Sequence, residues 1–224
     1  MLKDPRWLFN ISDPRALLVV AHPDDETIFA AGLILSSSKT RWTVVCCTAD
    51  GNPKRQKEFL CACEFLAQYS GNFVEPIFLD LKLNQNANIE HSELVERLKS
   101  YTREYDIVFT HNSQGEYGNE HHKLVHQCVI EHIGNPNTWV FISPGSTNVN
   151  QENLRSKITD GNFKLDLPSE ILKQKVDAFQ KCHVTQSEDY GYDLGSGKLK
   201  NTQLEETLYW YFENPRREEY TFFR

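Results

Sequence analysis

At 224 residues the chain is long enough for one sizeable α/β domain with its own core, and a 39% hydrophobic, 12% aromatic composition excludes extensive disorder. A net charge of -7, with no basic run longer than Arg216-Arg217, argues against a nonspecific grip on nucleic acid. The longest apolar stretch, Ala16 to Ala21, is far too short to span a bilayer, and no signal-peptide core precedes it, so the cytoplasm is the expected compartment.

In chain order, Ala16 to Ala21 reads as a central strand buried on both faces, followed by a small-residue helix from Thr27 to Ser38. Arg41 to Thr48 is a second strand. Asn52-Pro53 opens a helix running to Tyr69, with proline at its first position. Phe73 to Leu79 is a third strand, and Glu90 to Tyr101 an amphipathic helix with Leu94, Leu98 and Tyr101 on one side. Asp106 to Thr110 is a fourth strand, Glu120 to His132 a helix, and Thr138 to Ile142 a fifth strand. This alternation indicates a Rossmann-like three-layer α/β/α fold with a mostly parallel sheet in the doubly wound order 3-2-1-4-5.

Beyond Pro144 the pattern loosens: a strand at Phe163 to Leu167, a helix at Pro168 to Lys181, and a flexible Gly/Tyr-rich loop at Gly191 to Gly197. The tail from Leu204 to Phe223 suits either helix or strand. The whole chain, 1–224, is expected to form one domain with its core at about 14–186 and a C-terminal extension at about 187–224. Cys46, Cys47, Cys61, Cys63, Cys128 and Cys182 lie in apolar segments without a C-x-x-C pair, so reduced, buried thiols are expected.

Two constellations carry chemistry. The first strand runs directly into Ala21-His22-Pro23-Asp24-Asp25-Glu26, at the strand end where open α/β sheets gather functional groups. One histidine and two aspartates can give a metal an imidazole and a carboxylate and leave the other carboxylate as base. The competing reading makes these acids a charged start for the next helix; the His-Pro before them is what such a start does not need.

The second constellation follows the fourth strand, from His111 through Asn119-Glu120-His121-His122 to His126, half of the eight histidines. The strand order brings it against the first, so a third ligand is within reach, with His122 and His126 as rivals one helical turn apart.

These residues resemble the LmbE-like, or PIG-L-type, deacetylases. Ala21-His-Pro-Asp-Asp-Glu26 matches the family's opening motif completely, and Thr110 to His122 is similar to the second motif, which ends Tyr-Gly-His-Pro-Asp-His. The resemblance implies a zinc-dependent hydrolase that removes an N-acetyl group from an N-acetylglucosamine-type substrate. It makes His22, Asp25 and His122 the ligands of Zn2+ and Asp24 the general base.

The same resemblance sets Tyr117 and Asn119 beside the developing oxyanion. Asn119 stands where the family has a histidine and cannot supply a proton near neutral pH. His121, on the family aspartate, or His111 then serves as acid. Arg55, His111 and His183 are the expected substrate-binding residues, Arg55 from an Arg-x-x-Glu helix and His183 from a His-x-x-Gln element. The partner implied is a small amino sugar or sugar conjugate, in a chain free to form a homo-oligomer.

Two alternatives remain: a zinc amidohydrolase on another N-acyl conjugate, and a non-catalytic metal- or sugar-binding homologue. A dinucleotide site needs a Gly-rich turn after the first strand, and acids stand there instead.

Overall fold

The computed structural model describes residues 13–37, 39–86, 88–101, 105–135, 137–142, 163–165, 167–187, 192–193, 198–199 and 210–213. Strand β1 (Arg15–Val20) feeds a π-helical turn (Glu26–Ala30) that continues as α1 (Ala31–Ser36). Then come β2 (Arg41–Cys46), α2 (Pro53–Ser70), β3 (Phe73–Phe78), α3 (His91–Leu98) and β4 (Ile107–Thr110). The short α4 (Gly115–Gly118) leads to α5 (Glu120–Cys128), a second π-helical turn (Val129–Ile133) and β5 (Thr138–Ile142). β6 (Phe163–Leu165), α6 (Ser169–Cys182), α7 (Val184–Ser187), β7 (Tyr192–Asp193), β8 (Lys198–Leu199) and β9 (Trp210–Glu213) follow, and a 3-10 turn (Lys99–Tyr101) extends α3.

The main sheet has the order β3-β2-β1-β4-β5-β9-β6. Its first five strands are parallel, and β9 is antiparallel to both β5 and β6. The expected 3-2-1-4-5 order is therefore observed, and the tail segment left open by its composition supplies a strand. In the expected Gly/Tyr-rich loop, Tyr192–Asp193 pairs antiparallel with Lys198–Leu199, while 194–197 lie outside the described residues.

Alternation along the strands builds two cores. Ala16, Leu18, Val20, Trp42, Val44 and Phe109 face one layer with Phe59, Leu66 and Phe179 of α2 and α6. Leu17, Val19, Val45 and Val108 face the other with Leu94, Leu98 and Val125 of α3 and α5. With β1 enclosed on both faces, its continuous apolar run is what this three-layer packing requires.

Local chemistry sets the boundaries. Asn52 Oδ1 accepts from the Lys54 amide at the start of α2, Pro53 is its first residue, and Gly71 closes it at φ 69°. The expected helix at Thr27 to Ser38 begins instead as the wider π turn. Lys175 Nζ, buried on α6, donates to the Ile28 carbonyl at 2.6 Å and satisfies it there.

The expectation that all six cysteines are reduced is corrected. Cys46, Cys47, Cys63 and Cys128 are free and buried, but Cys61 of α2 and Cys182 at the end of α6 form a disulfide. The two lie 121 residues apart in sequence, so only the packing of α2 on α6 reveals the pair.

Candidate metal centre

β1 ends between β2 and β4, the point where chain direction around the sheet reverses, and delivers Ala21 to Glu26 as a tight turn. His22, Asp24, Asp25 and Glu26 are all buried. A solvated, acidic helix start would expose its carboxylates, and Asp25 makes no side-chain cap to the turn that follows. Its Oδ2 instead accepts from the His22 amide at 2.8 Å.

Asp24 has φ 126°, a conformation rare for a residue with a Cβ. Its surroundings hold it there. Glu26 Oε2 accepts from its amide at 3.0 Å, and its carbonyl accepts from the amides of Thr27 and Ile28.

The second loop leaves β4 at Thr110. His111 follows, fully buried, and Asn112 Oδ1 accepts from the amides of Gln114 and Glu116 to close the turn. Gly115 and Glu116 both have positive φ, 64° and 56°. Asn119 then starts α5, its Oδ1 accepting from the amides of His121 at 2.9 Å and His122 at 3.2 Å. Here the asparagine is a helix cap.

The two loops meet on three atoms. His22 Nδ1 lies 3.5 Å from Asp25 Oδ2, His122 Nε2 lies 3.4 Å from the same oxygen, and the two imidazole nitrogens are 3.3 Å apart. Tetrahedral zinc with bonds of about 2.0–2.1 Å holds neighbouring ligand atoms about 3.3–3.4 Å apart, so this triangle has the edge lengths of three such ligands. Two imidazoles and one carboxylate are also a donor set suited to zinc.

The remaining candidates surround this triangle. His121, part-buried, places Nδ1 2.8 Å from His22 Nε2. His111 Nε2 accepts from the Ala21 amide at 3.0 Å and its Nδ1 lies 3.0 Å from Glu116 Oε2, so both its nitrogens are engaged. His126, the rival ligand, directs Nδ1 to the His111 carbonyl at 2.8 Å. Arg55 donates from Nη2 to the Pro23 carbonyl at 2.7 Å, lies 3.4 Å from Asp24 Oδ2, and reaches Asp50 Oδ2 at 3.6 Å.

His183 is fully buried behind the first loop, with Nε2 2.8 Å from Glu26 Oε1 and 3.0 Å from Thr27 Oγ1. The side chain of Tyr117 lies outside the described residues. Two site residues carried no role in the sequence reading. Glu26 binds the Asp24 amide and His183, and Glu116 Oε2 lies 2.6 Å from His122 Nδ1. Their places inside the two motifs were the only signal.

Further donor groups also gather: His22 with Asp50 and His121, His111 with Glu116 and His122, and the surface set His91, Glu131 and His132.

The electrostatics follow from burying four carboxylates. Burial first, then Asp25 beside it, raises the Asp24 carboxyl well above the usual carboxylate range, and Arg55 only partly opposes this. Burial works against ionisation of Asp25 as well, but His122 and His111 hold it well below that range. Burial lowers the proton affinity of His122, yet Asp25 and Glu116 outweigh it and push the imidazole up to about 10 in the metal-free chain. Burial lowers His22.

A family profile described as PIG-L, GlcNAc-PI de-N-acetylase, matches residues 17–133, just over half of the chain and both metal-centre loops. The chain belongs to the PIG-L family. A relative of this PIG-L protein, an uncharacterised protein of Acanthamoeba polyphaga mimivirus, is 27% identical over 149 residues, 58% of this chain; the match spans 63% of that relative's length.

Among solved structures, N,N'-diacetylchitobiose deacetylase from Pyrococcus horikoshii is similar with a TM-score of 0.53 at 18% identity, covering 87% of this chain and 84% of that one. The zinc-inhibited form of teicoplanin deacetylase Orf2 gives 0.58 at 12%, covering 91% and 99%. GalB, the 4-carboxy-2-hydroxymuconate hydratase of Pseudomonas putida, gives 0.52 at 17%, covering 89% and 94%. At these identities the likeness is one of fold.

Proposed function

We propose that this PIG-L family chain is a zinc-dependent N-deacetylase that hydrolyses the acetamide of an N-acetylglucosamine-type sugar. A hydratase shares the fold, so the reaction has to be argued from the site. The observation that carries it is the buried triangle of His22 Nδ1, Asp25 Oδ2 and His122 Nε2, with Asp24 beside it and outside the ligand set. The family's description and the deacetylases among the structural neighbours support the acetamide as the bond cleaved.

His22, Asp25 and His122 would hold the cation. When bound, it supplies Lewis acidity that polarises an amide carbonyl and acidifies water. Asp24 receives the proton of the attacking water. Its burial raises its proton affinity, the direction that suits a general base. Arg55, 3.4 Å from its Oδ2, holds the carboxylate in place and keeps it from pairing with solvent.

Asn119 spends its oxygen on the cap of α5 and holds no proton to give. With His22 Nδ1 turned to the cation, its Nε2–H donates to His121 Nδ1 at 2.8 Å, so His121 orients His22, and Asp24 hands the proton it took from water to the departing amine. Among the described residues no helix is long and apolar enough to cross a membrane.

Acetate release measured on N-acetylglucosamine conjugates and on simple N-acyl amino acids, with zinc and with chelator, tests reaction and substrate together. Zinc-dependent release from the sugars alone is expected. Release from the amino acids alone moves the chain to the other amidohydrolases, and zinc binding without release makes it a binding homologue.

A further inference from the structure

We infer that Glu116 is the positioning residue of this centre: one carboxylate fixes the nitrogen that His122 presents and, through His111, anchors the turn carrying the other two ligands. This rests on the metal-centre reading above. The sequence gives Glu116 no motif role, yet the chain goes to unusual lengths to bury it. It is 1% exposed, at φ 56°, and its amide is held by Asn112 Oδ1 at 3.2 Å. A surface glutamate in a loop needs neither burial nor a backbone that disfavours a Cβ.

The two oxygens have separate tasks. Oε1 accepts from the Asn112 amide at 2.9 Å, which fixes the carboxylate plane. Oε2 meets two imidazoles at once, His122 Nδ1 at 2.6 Å and His111 Nδ1 at 3.0 Å, and the two rings stack with centroids 3.8 Å apart and planes inclined by 19°.

A neutral imidazole has one N–H and one lone pair. With Nδ1–H of His122 donated to Glu116, the lone pair sits on Nε2, the atom at the corner of the triangle facing His22 and Asp25. With Nδ1–H of His111 donated to the same oxygen, its lone pair also sits on Nε2, where it accepts the Ala21 amide at 3.0 Å. Ala21 directly precedes His22. A single oxygen therefore sets the free nitrogen of one ligand and ties down the chain that bears the others.

The conservative variant Glu116→Gln separates this role from plain packing. The Asn112 amide fixes the glutamine oxygen at the Oε1 position, which turns its NH2 toward two N–H donors. His122 then takes the other tautomer, its lone pair on Nδ1 facing the glutamine NH2 and its proton on Nε2, pointing into the triangle.

Zinc titrations against a competing chelator are expected to show affinity falling about 10–100-fold in Glu116→Gln. Glu120→Gln, which removes the same charge from the solvent face of α5, should match the wild type. In the zinc-loaded wild type, imidazole 15N shifts should show Nδ1 of His122 protonated, and Glu116→Gln should lose that signature with its melting temperature retained. In the metal-free protein, Glu116→Gln should lose hydrogen-exchange protection at the Ala21 amide.

Zinc affinity within about threefold of wild type, with Nδ1–H of His122 retained, overturns the inference. A wild type that binds no zinc fails the metal-centre reading itself. Exchange at Ala21 still decides the anchoring role in that case, and protection unchanged in the variant overturns it.

Discussion

Asparagine at position 24 keeps the size of the side chain and removes both its charge and its ability to take a proton. In the wild type that carboxylate is 4% exposed, flanked by Asp25 and Glu26, with Arg55 at 3.4 Å the cation it faces. Burial and Asp25 raise its pKa, so the folded metal-free chain binds this proton more tightly than the unfolded chain. The sign follows: no cost arises below the unfolded value near 4, and stability falls as pH climbs from there to the folded pKa.

Each tenfold of proton preference is worth about 1.4 kcal/mol, or about 3–6 °C in melting temperature for a chain of this size. Asp24→Asn is spared that cost and gives up only the Arg55 ion pair. The metal-free variant should therefore melt above the wild type at about pH 8, with the gap closing toward about pH 4. Acetate release should fall about 10²–10⁴-fold, the usual share of a general base, with zinc content unchanged. Calorimetry at both pH values, elemental analysis and the acetate assay read these outcomes. A variant that melts lower at pH 8, or a gap that stays constant with pH, refutes the electrostatic reasoning. Loss of zinc would make Asp24 a ligand.

His122→Ala should abolish zinc binding while His126→Ala retains it, because His126 Nδ1 is directed to the His111 carbonyl; titration against a chelator distinguishes them. Cys61→Ser opens a covalent link across 121 residues and should cost about 2–5 kcal/mol, with excess dithiothreitol lowering the wild-type melting temperature to match and leaving the variant unmoved. Burial lowers the pKa of Lys175 well below its usual value, so the unfolded chain holds the extra proton and stability rises with pH toward about 10.4, by at most about 1.4 kcal/mol per pH unit. Lys175→Met should flatten that alkaline slope in denaturant titrations and gain stability at neutral pH, less about 1 kcal/mol for the lost bond to the Ile28 carbonyl.

The strand order and the two polar loops were legible because each is written locally: apolar runs of strand length, turn residues at their ends, and polar clusters where those strands stop. What escaped depends on contacts between distant segments. Cys61 and Cys182 sit in helices that read as ordinary until α2 and α6 pack together. His183 resembled a substrate residue by its neighbours in sequence, but the fold folds it behind the first loop, against Glu26. Glu116 sat inside the second motif, where its spacings of 5 to His111 and 6 to His122 share no helical or strand period. The left-handed turn at Gly115 and Glu116 brings its carboxylate to the Nδ1 edges of both rings.

The pattern of charge explains why these supporting residues exist at all. Asp24, Asp25, Glu26 and Glu116 are four acids buried within two short loops, and Arg55 is the permanent cation beside Asp24. Unpaired, such a cluster would oppose folding strongly. In the metal-free chain protons make up the deficit: His122 holds one up to about 10, and Asp24 holds its own more tightly than a free carboxyl. Glu26 is paired instead by hydrogen bonds, from the Asp24 amide, from Thr27 Oγ1 and with His183. A divalent cation at the triangle would supply the same charge while displacing the His122 proton, so cation and protons would compete for one deficit. The residues that orient the ligands are thus also those that let the site fold before it is loaded.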